Sequence, residues 1–227
     1  MSKLNDDNHQ PPPSQPPPPP QPSLFYRITT VDETISHTIH TLSTPIIPTT
    51  FLKLLELTGD GRLWFPLTLS LFLSPLSLHA PPLYSLSLSL LAGLVTDIIA
   101  VGLLKHLVRR RRPSHNNHPM PSHLPVDRWS FPSGHASRVL FIATFFDLEI
   151  DTIRGGIDQV LVRDPEILRR WIGDREVVAY FVGGFWAWAV VTAVSRVLLG
   201  RHYVIDVVVG SLVGVINALF VHHFLRF

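Results

Sequence analysis

A dense group of charged and titratable residues lies near the C-terminal end of the chain. Residues 195–206 read SRVLLGRHYVID, and the flanking segments 177–194 and 207–221 carry no charge. Charges in so apolar a region are costly and usually have a function. On a helix His202 and Asp206 would be one turn apart, so the Asp206 carboxylate could accept the imidazole N–H. The second ring nitrogen would then be free to attack an electrophile or to accept a proton.

Two further groups precede this segment. In KHLVRRRRP, residues 105–113, Lys105 and Arg112 are seven residues apart, which predicts that both lie on one face of a helix. Pro113 predicts that this helix ends near Arg112. In FPSGHASR, residues 131–138, a Gly-containing turn leads into a helix whose backbone N–H groups can bind an anion, with His135 beside it.

Each group also has a simpler interpretation. The basic run could be a membrane anchor on the positive side, the PSGH segment a turn with a hydrogen-bonded His, and Arg201 an interfacial side chain that reaches water. Together, however, the three groups supply two imidazoles, a carboxylate, several cations and a turn. Arg binds phosphate oxygens with forked geometry, one imidazole could act as nucleophile, and the other could protonate the leaving oxygen. The combination predicts phosphoryl transfer without a metal.

Apolar residues are concentrated in long uncharged segments. Residues 63–96 contain no charge if His79 is neutral, and a helix of that length would measure about 51 Å, beyond the ~30 Å core of a bilayer. The sequence HAPP at 79–82 therefore predicts a hairpin of two spans, 63–79 and 84–107. A short run at 139–146 and the segments 177–199 and 203–223 complete an all-α transmembrane bundle of four to six spans. Gly210 and Gly214 predict a close helix contact.

Composition divides the chain into three parts. We expect a disordered Pro-rich tail at 1–24, an interfacial amphipathic segment at 25–61 and a membrane-embedded phosphatase domain at 62–227. The tail is either simply solvated or a ligand for a Pro-binding protein. The absence of Cys excludes disulfides and thiolate sites, and a net charge of +2 does not indicate nucleic acid.

Three motifs occur in a diagnostic order: K-x6-RP, PSGH and SR-x5-H-x3-D. They resemble the signatures of the type 2 phosphatidic acid phosphatase (PAP2) superfamily, which shares its helical fold with vanadium haloperoxidases. Every motif position matches, and the resemblance extends over about 84–223. Around the first two motifs the chain is similar to the phosphatases of lipid phosphates and polyisoprenoid diphosphates.

The resemblance implies a role for each motif residue. His202 would attack phosphorus and form a phosphohistidine, Asp206 would orient and stabilise it, and His135 would protonate the leaving group and then activate water. The residues implied to bind the phosphoryl oxygens are Lys105, Arg112, Ser133, Gly134 and Arg196. No Mg²⁺ or other cofactor is implied, and the substrates would be phosphatidate or isoprenoid diphosphates. The alternative is a catalytically silent membrane protein that binds or moves lipid headgroups, but such a protein would not need the two His and the Asp.

The motifs also constrain the topology. The first two share a loop, so the chain must cross the membrane an even number of times before the third. Four consecutive Arg predict a cytosolic site by the positive-inside rule, although many relatives have the opposite orientation. We expect a multi-pass protein of the endoplasmic reticulum, with the plasma membrane as the alternative.

Overall fold

The computed structural model describes residues 23–114, 128–163 and 175–225. Most of the predicted Pro-rich tail lies outside these residues, so its conformation stays a prediction. The described residues form a helical bundle with one isolated β-bridge between Arg111 and Trp129. In chain order the helices are α1 (Leu24–Ser43), α2 (Thr49–Thr58), α3 (Gly61–Phe72), α4 (Pro75–His79), α5 (Pro81–Val108), α6 (Gly134–Leu148), α7 (Ile150–Arg163), α8 (Arg175–Leu198) and α9 (Val204–Phe224).

Within the described residues, three helical segments are long and apolar enough to cross a membrane. They are Pro81–Val108, Tyr180–Leu198 and Val204–Phe224. The predicted spans 84–107, 177–199 and 203–223 coincide with them. The fold is therefore the multi-pass helical bundle that the apolar segments predict.

The first arm of the predicted hairpin, 63–79, is not one helix. Helix α3 ends at Phe72 and α4 begins at Pro75. Proline has no N–H for the helical ladder and disfavours the α conformation in the residue before it. The Ser74 hydroxyl instead accepts the N–H of Ser77 at 3.3 Å and starts the new helix.

Helix α6, the predicted short apolar run, forms the centre of the bundle. Its Phe141, Ile142 and Phe145 are fully buried, and the helix packs against α5, α8 and α9. With 15 residues it is shorter than a helix that crosses a bilayer unaided. It is a buried helix that supports the spans around it.

Helix α9 approaches α6 closely at two glycines, as the sequence predicts. A Cβ at Gly210 would overlap the carbonyl oxygen of Ser133, and one at Gly214 would overlap that of Ser137. Only glycine permits this backbone contact. The contact brings the first turns of α6 and α9 together, and with them the second and third sequence motifs.

Helix α1 has the polarity expected of a helix at a lipid boundary. Its Phe25, Ile28 and Val31 are exposed, whereas Asp32 and Ser36 are buried. Polar side chains of membrane helices face the protein interior, where they find partners. The polar face of α1 is thus directed at the bundle.

Candidate active site

His202 lies in the turn between α8 and α9 and is 2% exposed. Its Nδ1 is 2.7 Å from the carbonyl oxygen of Ser130. Because a carbonyl oxygen only accepts, Nδ1 carries the proton and donates it, which leaves the Nε2 lone pair available. Nε2 is therefore the nitrogen that can attack.

Asp206 does not accept this proton, in contrast to the prediction. Its Oδ2 is 3.7 Å from the Nδ1 of His202, beyond hydrogen-bond distance. The predicted one-turn pairing requires both residues on a helix, but α9 begins at Val204 and His202 precedes it. Asp206 Oδ2 instead accepts the backbone N–H of Tyr203 at 3.0 Å and caps the helix. Asp206 can act on His202 by its charge.

Arg110 holds two carboxylates and was missed by sequence reasoning. Its Nη1 is 2.9 Å from Asp206 Oδ1 and 2.8 Å from Asp32 Oδ2. Its guanidinium carbon lies 3.8 Å from the centroid of the Tyr203 ring, a cation–π contact. Nothing within a run of four Arg distinguishes this one. Since Arg110 has partners inside the protein, the run is a weak indicator of membrane orientation.

The prediction that Lys105 and Arg112 lie on one helix face is wrong. Helix α5 ends at Val108 because Arg109 adopts the left-handed conformation, with φ 52°. Arg112 therefore lies beyond the helix, where its Nη1 donates to the carbonyl of Arg201 at 3.1 Å. Lys105 remains in the last helical turn and is buried. The positive charges of both side chains nevertheless act on His202.

The electrostatic setting of His202 favours its neutral form. Burial, and then the positive charges of Arg112, Arg196 and Lys105, lower the pKa of His202 well below its usual 6.5, against the opposing hydrogen bond to Ser130. A lowered pKa means that the imidazole has lost its second proton at neutral pH. A neutral imidazole is the form that a nucleophile requires.

His135 is placed at the start of α6, next to the same cations. The turn leads into α6, as predicted, and Ser133 is the N-cap, with its hydroxyl accepting the N–H of Ala136 at 3.5 Å. Burial, and then the positive charge of Arg196, lower the pKa of His135 well below its usual 6.5, and Lys105 acts in the same direction on both His135 and His202. The Nε2 of His135 is buried, with no hydrogen-bond partner among the described residues. It is available to a substrate oxygen.

Helix α1 holds the turn that carries His202, which the sequence did not predict. Asp32 Oδ1 accepts the N–H of Ile205 at 3.1 Å, and Ser36 Oγ accepts that of Val204 at 2.9 Å. His40 Nδ1 is 2.7 Å from the carbonyl of Leu198. The three α1 side chains are four residues apart, so they share one helix face. This spacing, on a helix with an apolar opposite face, is the signal that could have identified them.

Arg196 and Arg201 share a carboxylate. Arg196 is fully buried, and its Nη2 lies 2.9 Å from Glu56 Oε1. Arg201 is also buried, with its Nε 3.6 Å from the same oxygen. Arg201 is thus not a side chain that reaches water. No group of three or more His, Asp or Glu in the described part of the chain could hold a metal ion.

This fold and arrangement of residues define a known class. The chain belongs to the PAP2 superfamily, whose family model matches residues 86–227. The chain is 43% identical over 206 residues to a probable lipid phosphate phosphatase beta of Arabidopsis thaliana, covering 88% of this chain and 91% of that protein. The family suggested by the three motifs is therefore confirmed.

Two solved structures have the same fold. One is a transmembrane PAP2-type phosphatidylglycerolphosphate phosphatase from Bacillus subtilis, with a TM-score of 0.60 and 21% identity over 87% of this chain and 86% of that one. The other is LpxE of Aquifex aeolicus, with a TM-score of 0.53 and 21% identity over 84% and 94%. The likeness extends beyond the motifs to the membrane-spanning bundle.

Proposed function

We propose that this protein is a membrane phosphatase that hydrolyses phosphate monoesters or diphosphates of lipids through a phosphohistidine, without Mg²⁺. The observation that carries the proposal is the hydrogen bond from His202 Nδ1 to Ser130. It leaves Nε2 unprotonated beside three cations, Lys105, Arg112 and Arg196, that act on the same ring. The nucleophile thus lies next to a group of cations that can bind phosphate.

In the first half-reaction, Nε2 of His202 attacks phosphorus while the phosphorus–oxygen bond to the leaving group breaks. Lys105, Arg112 and Arg196 hold the phosphoryl oxygens, with the backbone at Ser133 and Gly134 contributing at the start of α6. The phosphate anion raises the pKa of His135 when it enters among the cations, so His135 takes up a proton with the substrate and donates it to the leaving oxygen. The products are a free lipid alcohol, or a lipid monophosphate from a diphosphate, and phosphorylated His202.

In the second half-reaction, His135 takes a proton from water. The oxygen of that water attacks phosphorus, the phosphorus–nitrogen bond breaks, and inorganic phosphate leaves. The negative charge of Asp206, 3.7 Å from Nδ1, stabilises the positive charge that the His202 ring gains on phosphorylation and loses when the phosphorus–nitrogen bond breaks. The Ser130 carbonyl keeps the ring oriented throughout.

The setting of the site supports our proposal for the substrate class. A cluster of cations at the ends of the membrane helices α5 and α8 suits a phosphate that lies in the headgroup layer of an amphiphile. The name of the plant relative, lipid phosphate phosphatase, supports the same class. We propose phosphatidate and isoprenoid diphosphates as substrates and the endoplasmic reticulum as the membrane, with the plasma membrane as the alternative. A protein that recognises the Pro-rich tail remains a proposal.

Phosphate release should not require a divalent metal. Purified full-length protein should release phosphate from both phosphatidate and farnesyl diphosphate, at the same rate with EDTA as with added Mg²⁺, because its cations take the place of the metal. Phosphate release is measured directly. Loss of activity in EDTA that Mg²⁺ restores would contradict the metal-free mechanism. Binding of phosphatidate without hydrolysis would instead indicate a silent headgroup binder.

A further inference from the structure

The corner between α2 and α3, residues 56–60, forms part of the site although it precedes the region that defines the family, 86–227. Glu56 Oε1 lies 2.9 Å from Arg196 Nη2 and 3.6 Å from Arg201 Nε. The Glu56 side chain is 12% exposed, and the two guanidinium side chains are 0% and 6% exposed. A carboxylate is therefore held against a cation to which we assign phosphate binding.

Several contacts fix this corner. The Thr58 carbonyl accepts the indole N–H of Trp64 at 2.8 Å, and the Thr58 hydroxyl accepts that of Trp188 at 3.0 Å. Gly59 lies against the general acid, since a Cβ there would be 3.5 Å from Cδ2 of His135. These contacts fix the backbone next to Glu56.

The negative charge of Glu56 acts both on Arg196 and on a bound phosphate. A fully buried guanidinium needs an anion close to it, and Glu56 supplies one when no phosphate is bound. Phosphate brings a second anion to the same cations, where it is repelled by the first. The ion pair therefore orients Arg196 and, at the same time, weakens the binding of phosphate.

We propose that Glu56 is a positioning residue for Arg196 and a built-in counter-charge that limits the affinity of the site for inorganic phosphate. This inference deepens the proposed function and depends on it for the role of Arg196. The hydrolysis product is a free phosphate ion in a pocket of cations, and tight binding would keep the site occupied. Glu56 favours the release of that product.

Glu56→Gln separates the charge from the hydrogen bond. The amide oxygen can still accept from Arg196, but the negative charge is gone. We expect the Kd for inorganic phosphate, measured by calorimetry on the purified full chain, to fall about tenfold. Glu56→Asp, which keeps the charge, should bind phosphate nearly as wild type does. Asp158→Asn makes the same charge change at an exposed position on α7 and should leave the Kd unchanged.

If Glu56→Gln is too unstable for calorimetry, phosphate binding can be measured by the rise in Tm that phosphate causes. Any ligand that binds only the folded state raises Tm, and a tighter one raises it more. Added phosphate should therefore raise the Tm of Glu56→Gln, and of Glu56→Ala, more than that of wild type. A Kd and a phosphate-dependent rise in Tm equal to wild type would overturn the role of Glu56, as would weaker binding in Glu56→Gln.

Activity distinguishes this inference from the proposed function. If wild type hydrolyses phosphatidate but the Kd for phosphate does not depend on Glu56, the proposed role of Glu56 is wrong and the proposed phosphatase function is supported. If wild type binds phosphate in a Glu56-dependent way but hydrolyses no lipid phosphate, the counter-charge is supported and the phosphatase is wrong.

Discussion

Replacement of His202 by alanine is expected to abolish phosphate release from phosphatidate, with kcat/KM reduced by at least about 1000-fold. The side chain supplies the only nitrogen that we assign to attack, and its removal leaves the cations with a bound substrate and no nucleophile. The neighbouring groups can still bind phosphate. We therefore expect lost turnover with retained phosphate affinity, measured by phosphate release and by calorimetry.

His223→Ala is the matched control for this variant. His223 is exposed at the far end of α9, so the same substitution there should leave turnover unchanged. Equal activity of His202→Ala and His223→Ala would contradict the assignment of the nucleophile. Because phosphate affinity is measured as well, a misfolded His202→Ala would be recognised by its failure to bind.

Gly214→Ala is expected to destabilise the bundle by about 2–3 kcal/mol or more. The added Cβ would overlap the carbonyl oxygen of Ser137 and lie 2.9 Å from the backbone nitrogen of Phe141. Backbone atoms cannot rotate away as a side chain can, so α9 must move off α6. The movement would also separate Asp206 from the turn that carries His135. Both Tm in detergent and phosphate release should fall.

Gly183→Ala provides the comparison. Gly183 lies within α8, and a Cβ there would meet no atom within 4 Å. In a helix interior, Ala is favoured over Gly by up to about 1 kcal/mol, so this variant should match or exceed the Tm of wild type. Equal Tm values for Gly214→Ala and Gly183→Ala would show that the close helix contact is not required.

Much of the fold and site follows from local sequence signals. The long uncharged segments identify α5, α8 and α9, and the pair Gly210 and Gly214 predicts a close helix contact, although it does not say that α6 is the partner. The motifs single out His135 and His202, although the helical spacing assumed within two of them was wrong: Asp206 does not accept the His202 proton, and Arg112 lies beyond α5. Such signals require no knowledge of distant contacts.

What the sequence did not predict depends on contacts between distant parts of the chain. His202 Nδ1 donates to the carbonyl of Ser130, 72 residues away, and Ser130 is held by its own N–H, which donates to the carbonyl of Arg110. A left-handed residue at Arg109 ends α5 early, and no glycine marks the position. Asp32 and Glu56 reach the site from 173 and 140 residues away in sequence. Neither position belongs to a motif.

Trapping the covalent intermediate tests the proposed mechanism most directly. Full-length protein is mixed with phosphatidate that carries a radiolabelled phosphate, quenched during turnover under alkaline conditions, and analysed by peptide mass spectrometry. We predict a labelled phosphoryl group on residue 202 that forms and decays at the rate of turnover and is absent in His202→Ala. Full-rate phosphate release with no labelled protein at any time, or with the label on another residue, would contradict the phosphohistidine mechanism.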